Sequence, residues 1–189
     1  MRIVSGIYKG RRIVTPKNLP VRPTTDLSKE ALFNILNHHF NFSGLQILDL
    51  FAGTGSISYE FSSRGSQPIT AVDADYNCVS FIKKTAQQFD MDITAIKSDV
   101  FKFLERNKVK YDIVFVDPPY DFHQEKFEKI HQLIFENNLL QDDGLLIIEH
   151  SSHTNLEHLE YHSSSRRYGG SVFSFFEQEQ NEDESEFEE

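Results

Sequence analysis

Residues 111–120, Tyr111-Asp112-Ile113-Val114-Phe115-Val116-Asp117-Pro118-Pro119-Tyr120, run a β-prone stretch straight into a tetrapeptide that cannot extend it. The first six read as a buried strand. Two consecutive prolines hold φ near about −65° and carry no N–H, so the chain turns at the strand's carboxyl end with carbonyls open to a ligand. Asp117 adds a carboxylate acceptor, and Tyr120 adds a flat face on which a nucleobase can stack. Acceptors converging beside an aromatic plane suit a planar group that carries an amine. A Pro-Pro pair can also do no more than end a strand, so the surrounding chain has to decide.

From residue 45 onward β-prone and helical patterns alternate. The expected strands are 46–50, 69–73, 92–97, 111–116 and 144–149, with helices near 55–64, 75–89, 100–107 and 123–138. Such alternation makes a parallel sheet with helices on both faces. The ending departs from it. Candidate strands at 158–163 and 171–177 are joined by a segment too short for a crossover helix, so they form an antiparallel pair at the sheet edge. The expected fold is therefore α/β: a Rossmann-like, seven-stranded, mostly parallel sheet with an antiparallel last strand, as in class I methyltransferases. A small β-hairpin and a helix precede it. Arg2-Ile3-Val4 and Arg12-Ile13-Val14 flank a Gly6 to Gly10 turn region, three prolines keep residues 15–23 extended, and Thr24-Thr25-Asp26 start a helix over 26–38. The domain expectation is residues 1–42 as an extension packed on the core, 43–177 as the main domain, and 178–189 as a disordered acidic tail.

Bulk properties bound the alternatives. The 189 residues are 39% apolar and 25% charged, an ordinary globular balance with enough chain for one substantial core. No apolar stretch approaches the roughly 20 residues that span a bilayer, and the first residues lack a signal peptide's apolar block, so a cytoplasmic protein with no membrane partner is expected. One cysteine, Cys78, forms no internal disulfide and reads as a small core residue; no Cys/His cluster has metal-ligand spacing, so no metal is expected. Net charge is −10, but eight acids and no base fall in residues 177–189, which leaves −2 for the rest. Residues 1–30 carry seven bases (Arg2, Lys9, Arg11, Arg12, Lys17, Arg22, Lys29) against Asp26 and Glu30. A basic amino-terminal face is thus available for phosphates.

Leu48-Asp49-Leu50-Phe51-Ala52-Gly53-Thr54-Gly55 closes the first strand of the sheet and opens a helix. Glycines let the backbone approach a ligand, and the helix start offers unpaired N–H groups. The dinucleotide fingerprint wants a third glycine where this chain has Ser58, which disfavours NAD. Asp49 repels a pyrophosphate and attracts an ammonium. Asp73, 20 residues after Gly53, is placed for ribose hydroxyls, and Asp99 for an adenine amine. Each acid alone is explained by capping or exposure; three at the carboxyl ends of successive strands mark a ligand site. S-adenosyl-L-methionine is the cofactor whose groups match these acceptors.

With these residues in place the chain resembles a known family. Asp49-Leu50-Phe51-Ala52-Gly53-Thr54-Gly55 together with Asp117-Pro118-Pro119-Tyr120 is similar to amino-group methyltransferases acting on adenine N6 or guanine N2. Ser5-Gly6-x-Tyr8-Lys9-Gly10-Arg11-Arg12, Arg22-Pro23-Thr24-Thr25-Asp26 and Lys29-Glu30-Ala31-Leu32-Phe33-Asn34 narrow the likeness to small-subunit rRNA guanine-N2 methyltransferases of the RsmD type, over residues 2 to about 176. Ser56-Ile57-Ser58, where relatives carry smaller residues, and the acidic extension depart from the pattern. The resemblance implies methylation of the N2 amine of one guanine of 16S rRNA, guanine 966, during small-subunit assembly. The partner is then 16S rRNA or an assembly intermediate, and the protein a monomer. It implies a catalytic set of Asp117, Pro118, Pro119 and Tyr120, and a cofactor set of Asp49, Phe51, Gly53, Gly55, Asp73, Asp99 and Val100. For RNA it implies Lys9, Arg11, Arg12, Arg22, Thr24, Thr25, Lys29, Arg166 and Arg167. His38, His39 and His150 read as capping or structural histidines.

The competing readings are the same chemistry on adenine N6 or a protein glutamine, a noncatalytic RNA-binding assembly factor, and a nucleotide-dependent oxidoreductase. Intact acids and the intact tetrapeptide oppose the second, and Ser58 with the paired terminal strands opposes the third.

Overall fold

The structure, a computed structural model, describes residues 1–21 and 25–178. Its elements in chain order are α1 (Asp26–Leu36), β1 (Ile47–Leu50), α2 (Ser56–Ser63), β2 (Ile69–Asp73), α3 (Tyr76–Gln88), β3 (Ile93–Lys97), α4 (Val100–Arg106), β4 (Tyr111–Val116), α5 (Gln124–Glu136), β5 (Leu140–Ser151), β6 (His162–Tyr168) and β7 (Ser171–Glu177). They form one seven-stranded sheet in the order β3-β2-β1-β4-β5-β7-β6. The first five strands in that order are parallel, and β7 runs antiparallel to both β5 and β6. This is the class I methyltransferase fold. Strand order reverses between β1 and β4, which opens a crevice at their carboxyl ends.

Both faces are covered, and the alternation along each strand divides the core. Ile47, Ile113, Phe115, Ile147 and Phe173 meet Leu32, Phe33 and Leu36 of α1 and Ile57 and Phe61 of α2. Leu48, Leu50, Val114, Val116, Leu146 and Ile148 meet Leu104 of α4 and Phe127, Ile130 and Ile134 of α5. The amino-terminal segment joins a third cluster, in which Ile3 and Ile13 pack with Tyr59, Val79 and Ile82.

That segment is a minimal hairpin, with one antiparallel bridge between Arg2 and Arg12. It is fastened to α2 by an acid. The Glu60 carboxylate, fully buried, accepts from the amides of Val4 and Ser5, both at 2.9 Å. It also pairs with Lys29 at 3.4 Å and Arg64 at 3.1 Å. The Tyr8 hydroxyl adds a bond to the Phe89 carbonyl.

The penultimate strand corrects the sequence reading. It occupies His162–Tyr168, not 158–163, so the polar stretch expected to be the connection is itself the strand. The turn shrinks to Gly169-Gly170, with Gly169 at φ 59°. Serines and arginines are poor strand signals, but β6 is an edge strand held by its backbone pairing to β7. The first helix ends at Leu36, leaving His38 and His39 exposed just beyond it. The tail from residue 179, with Arg22, Pro23 and Thr24, lies outside the described residues.

Candidate active site

β1 delivers the first loop. Phe51 takes a left-handed φ of 59°, an unusual state for a bulky residue, and Gly53 and Gly55 follow at 55° and 81°. At Gly55 a β-carbon would stand 2.7 Å from the Tyr59 ring and 3.0 Å from Ile82, so only glycine fits. Gly53 lies under Val21, whose side chain would be 3.3 Å from an added β-carbon. The chain at Val21 therefore passes over the loop, not as the extended stretch expected but after a local turn in which the Leu19 amide donates to the Pro16 carbonyl.

The acids at the strand ends have different jobs. Asp73 clamps the loop: its carboxylate accepts from the Gly53 amide at 2.8 Å and from the Asp75 amide at 2.9 Å. A carboxylate has about four acceptor positions, so capacity for hydroxyls remains. Asp99 caps α4 by accepting from the Lys102 amide at 3.1 Å, and its exposed carboxylate borders buried Val100. Asp49 is 2% exposed and accepts from the Ser58 hydroxyl at 2.6 Å. Burial pushes its carboxyl up to about 7; Ser58 opposes the rise and Asp73 adds to it.

Beside them, the Pro119 carbonyl accepts from the Phe122 amide at 3.0 Å and closes the turn, a closure in which the Pro118 carbonyl takes no part. Tyr120 stands 83% exposed. Asp117 is half-buried, its carboxyl raised well above the usual range by burial, then by Glu149, then by Asp49. Three roles here are not read from the sequence: Ser58 as the hydroxyl partner of Asp49, Glu149 as a member of the same acidic group, and an aromatic wall. Phe101 and Phe122 stack with centroids 6.3 Å apart, and Phe51 meets Phe122 edge-on at 5.4 Å, an aromatic wall beside Val100. No local pattern marks them, because they meet only when four strand ends are brought together.

The basic residues divide. Lys9, Arg11, Arg12, Arg166 and Arg167 are exposed. Arg166 and Arg167 alternate across β6, Arg166 level with Phe173 and Arg167 with Val172, so they face opposite sides of the sheet. Lys29 corrects an expectation. It is 1% exposed, and its ammonium donates to the Arg2 carbonyl at 2.7 Å and to Ser56 at 3.3 Å while pairing with Glu60, so it holds the fold and faces no phosphate. The Thr25 hydroxyl caps α1 by accepting from the Ser28 amide at 3.1 Å. His150 is buried with both ring nitrogens bonded, to the Ser151 carbonyl and the Ser174 hydroxyl. Cys78 is fully buried in α3, and burial pushes its thiol up to about 12. Among the described residues no helix is long and apolar enough to cross a membrane, and no group of three or more His, Cys, Asp or Glu is arranged to hold a metal.

A glycine turn at the switch point, acids at the strand tips and the reversed final strand define the protein's class: a class I methyltransferase. The chain belongs to the family described as conserved hypothetical protein 95, which matches residues 1–177 and is the RsmD family its motifs resemble. It is 33% identical over 154 residues to the Haemophilus influenzae ribosomal RNA small subunit methyltransferase D, covering 79% of this chain and 78% of the relative. A solved Escherichia coli structure titled "Putative methyltransferase yhhF" superposes with a TM-score of 0.83 at 28% identity, covering 95% of this chain and 98% of that one. A Thermus thermophilus 16S rRNA N2 G1207 methyltransferase in complex with AdoMet and guanosine shares the fold, with a TM-score of 0.67 at 19% identity over 85% of this chain and 45% of that one.

Proposed function

We propose that the protein transfers a methyl group from S-adenosyl-L-methionine to the N2 amine of a guanine in small-subunit ribosomal RNA. The observation that carries this reading is the meeting of a buried, cation-seeking acid, Asp49, with the Asp117-to-Tyr120 turn on neighbouring strand tips. The residues fit the donor. A carboxyl pushed up to about 7, met among the described residues by the Ser58 hydroxyl and by no cation, suits an ammonium group. Asp73 is the residue for ribose hydroxyls, Asp99 and Val100 for the adenine, and Gly53 and Gly55 for close backbone approach. When bound, the donor supplies an electrophilic methyl on a sulfonium centre.

The chain's own task is placement. The N2 lone pair is delocalised into the purine, so alignment has to do most of the work, and it is worth on the order of 7–11 kcal/mol. Asp117 and the Pro118 carbonyl accept the two amine hydrogens and hold the lone pair toward the donor side. Tyr120 stacks on the extruded base, contributing roughly 1–3 kcal/mol. Asp117 then takes the proton that becomes acidic on alkylation, and its raised proton affinity suits that step. Lys9, Arg11, Arg12, Arg166 and Arg167 hold phosphates. The relative's name, a small-subunit rRNA methyltransferase, supports the substrate class.

The test is methylation of small-subunit RNA and particles from a deletion strain with labelled donor, followed by mass mapping of the nucleoside. N2-methylguanosine at one position is expected; label on adenosine or on protein would refute the reading.

A further inference from the structure

One acid at the strand tips has no role in that scheme. β4 and β5 are parallel with Val116 level with Ile148, so Asp117 and Glu149, each one residue further on, are level on adjacent strands. Neighbouring strands lie about 4.8 Å apart, and level residues project to the same face. Glu149 shares its face with Ile147, and Asp117 shares it with Phe115, which is itself level with Asp49. The pairing of Glu149 with Phe173 across β7 places it on the same side. The tetrapeptide acid therefore has a second carboxylate at its flank, on the side away from β1.

The chemistry of the amine substrates says what such a neighbour selects. In adenine the amine adjoins N1 and in cytosine it adjoins N3, both acceptors; in glutamine it adjoins a carbonyl. In guanine alone the amine adjoins another donor, N1–H. An ionised carboxylate only accepts, so it continues the hydrogen-bonded edge of guanine and opposes the lone pair of each alternative. We infer that Glu149 is the residue that makes this site specific for guanine, accepting N1–H while Asp117 and the Pro118 carbonyl hold the N2 amine. The inference rests on the methyl-transfer reading and deepens it. A site built around a substrate N–H can reject analogues lacking it by factors of about 10⁴–10⁵.

The experiment uses the full chain and the RNA position located by mass mapping, with guanine there replaced by 2-aminopurine. That base keeps the N2 amine but presents an acceptor at N1. The wild type is expected to lose at least about 100-fold in kcat/KM on the analogue. Glu149→Gln, whose amide both donates and accepts, is expected to lose about 10-fold or more on guanine and to narrow the gap to under about 10-fold, with donor affinity kept within about 3-fold. Glu149→Asp should keep the preference. A wild type that accepts 2-aminopurine as well as guanine overturns the inference, as does an active Glu149→Gln with an unchanged gap, while N2-methylguanosine in both cases leaves the proposed function standing. If Glu149→Gln binds no donor, the wild-type and Glu149→Asp ratios decide alone. A labelled nucleoside other than N2-methylguanosine overturns both.

Discussion

Glu60 and Asp49 are both buried acids, 0% and 2% exposed, and α2 touches both, yet the chain treats them in opposite ways. Glu60 receives two cations and two backbone amides. Asp49 receives Ser58, which brings no charge, and has Asp73 as a neighbour of like sign. Where the chain supplies cations, the acid is a fastener that locks the amino-terminal segment and α1 onto the sheet. Where the described residues bring none, the acid costs stability and suits a charge from outside. Asp117 belongs to the second kind, its carboxyl held up by burial first and then by Glu149 and Asp49.

The largest expected effect is Asp117→Ala: methyl transfer falls by about 1,000-fold or more, some 4 kcal/mol of barrier, while calorimetry shows donor affinity within a few-fold of wild type. Wild-type turnover would remove Asp117 from the chemistry. Next comes the fastener. Glu60→Ala leaves Lys29 buried without its carboxylate and is expected to lower unfolding stability by about 3–5 kcal/mol in urea titration; a loss under 1 kcal/mol would erase the contrast between the two acids.

Asp49→Asn should move stability the other way. The folded-state value for Asp49 lies above that of the unfolded chain, so between about pH 4 and 7 the folded protein holds the extra proton and loses stability as pH climbs through that window. The asparagine variant should be more stable at pH 8, by an amount on the order of a few kcal/mol, flatter in that window, and weaker in donor binding. Thermal unfolding across pH checks it, and a destabilised variant would show that Asp49 is as well served as Glu60. The smallest effects belong to the exposed cations. Lys9→Glu or Arg11→Glu should weaken RNA binding a few-fold and flatten its salt dependence, leaving donor binding unchanged. Lys29→Gln should instead destabilise the fold; if it acted like Lys9→Glu, the burial of Lys29 would be refuted.

Local patterning sets most of the frame. Strand β2 spans Ile69–Asp73, β4 Tyr111–Val116 and β7 Ser171–Glu177, as their apolar runs and bounding turns predict, because hydrophobic patterning and prolines act locally. The glycine loop and the tip acids are legible for the same reason, since the loop follows β1 directly and each acid lies within two residues of a strand's carboxyl end. β6 was misread because Ser163–Arg167 has no strand pattern of its own; its pairing with β7 decides. Lys29 reads as a surface cation in the sequence because a lysine's partner is not written beside it: Glu60 lies 31 residues along the chain and reaches it only through the packing of α1 on α2. The roles of Ser58 toward Asp49 and of Glu149 beside Asp117 are of the same kind. Burial and partner choice are properties of contacts distant in sequence, so it takes the packed chain to show Glu60 held by two cations and Asp49 met by a hydroxyl.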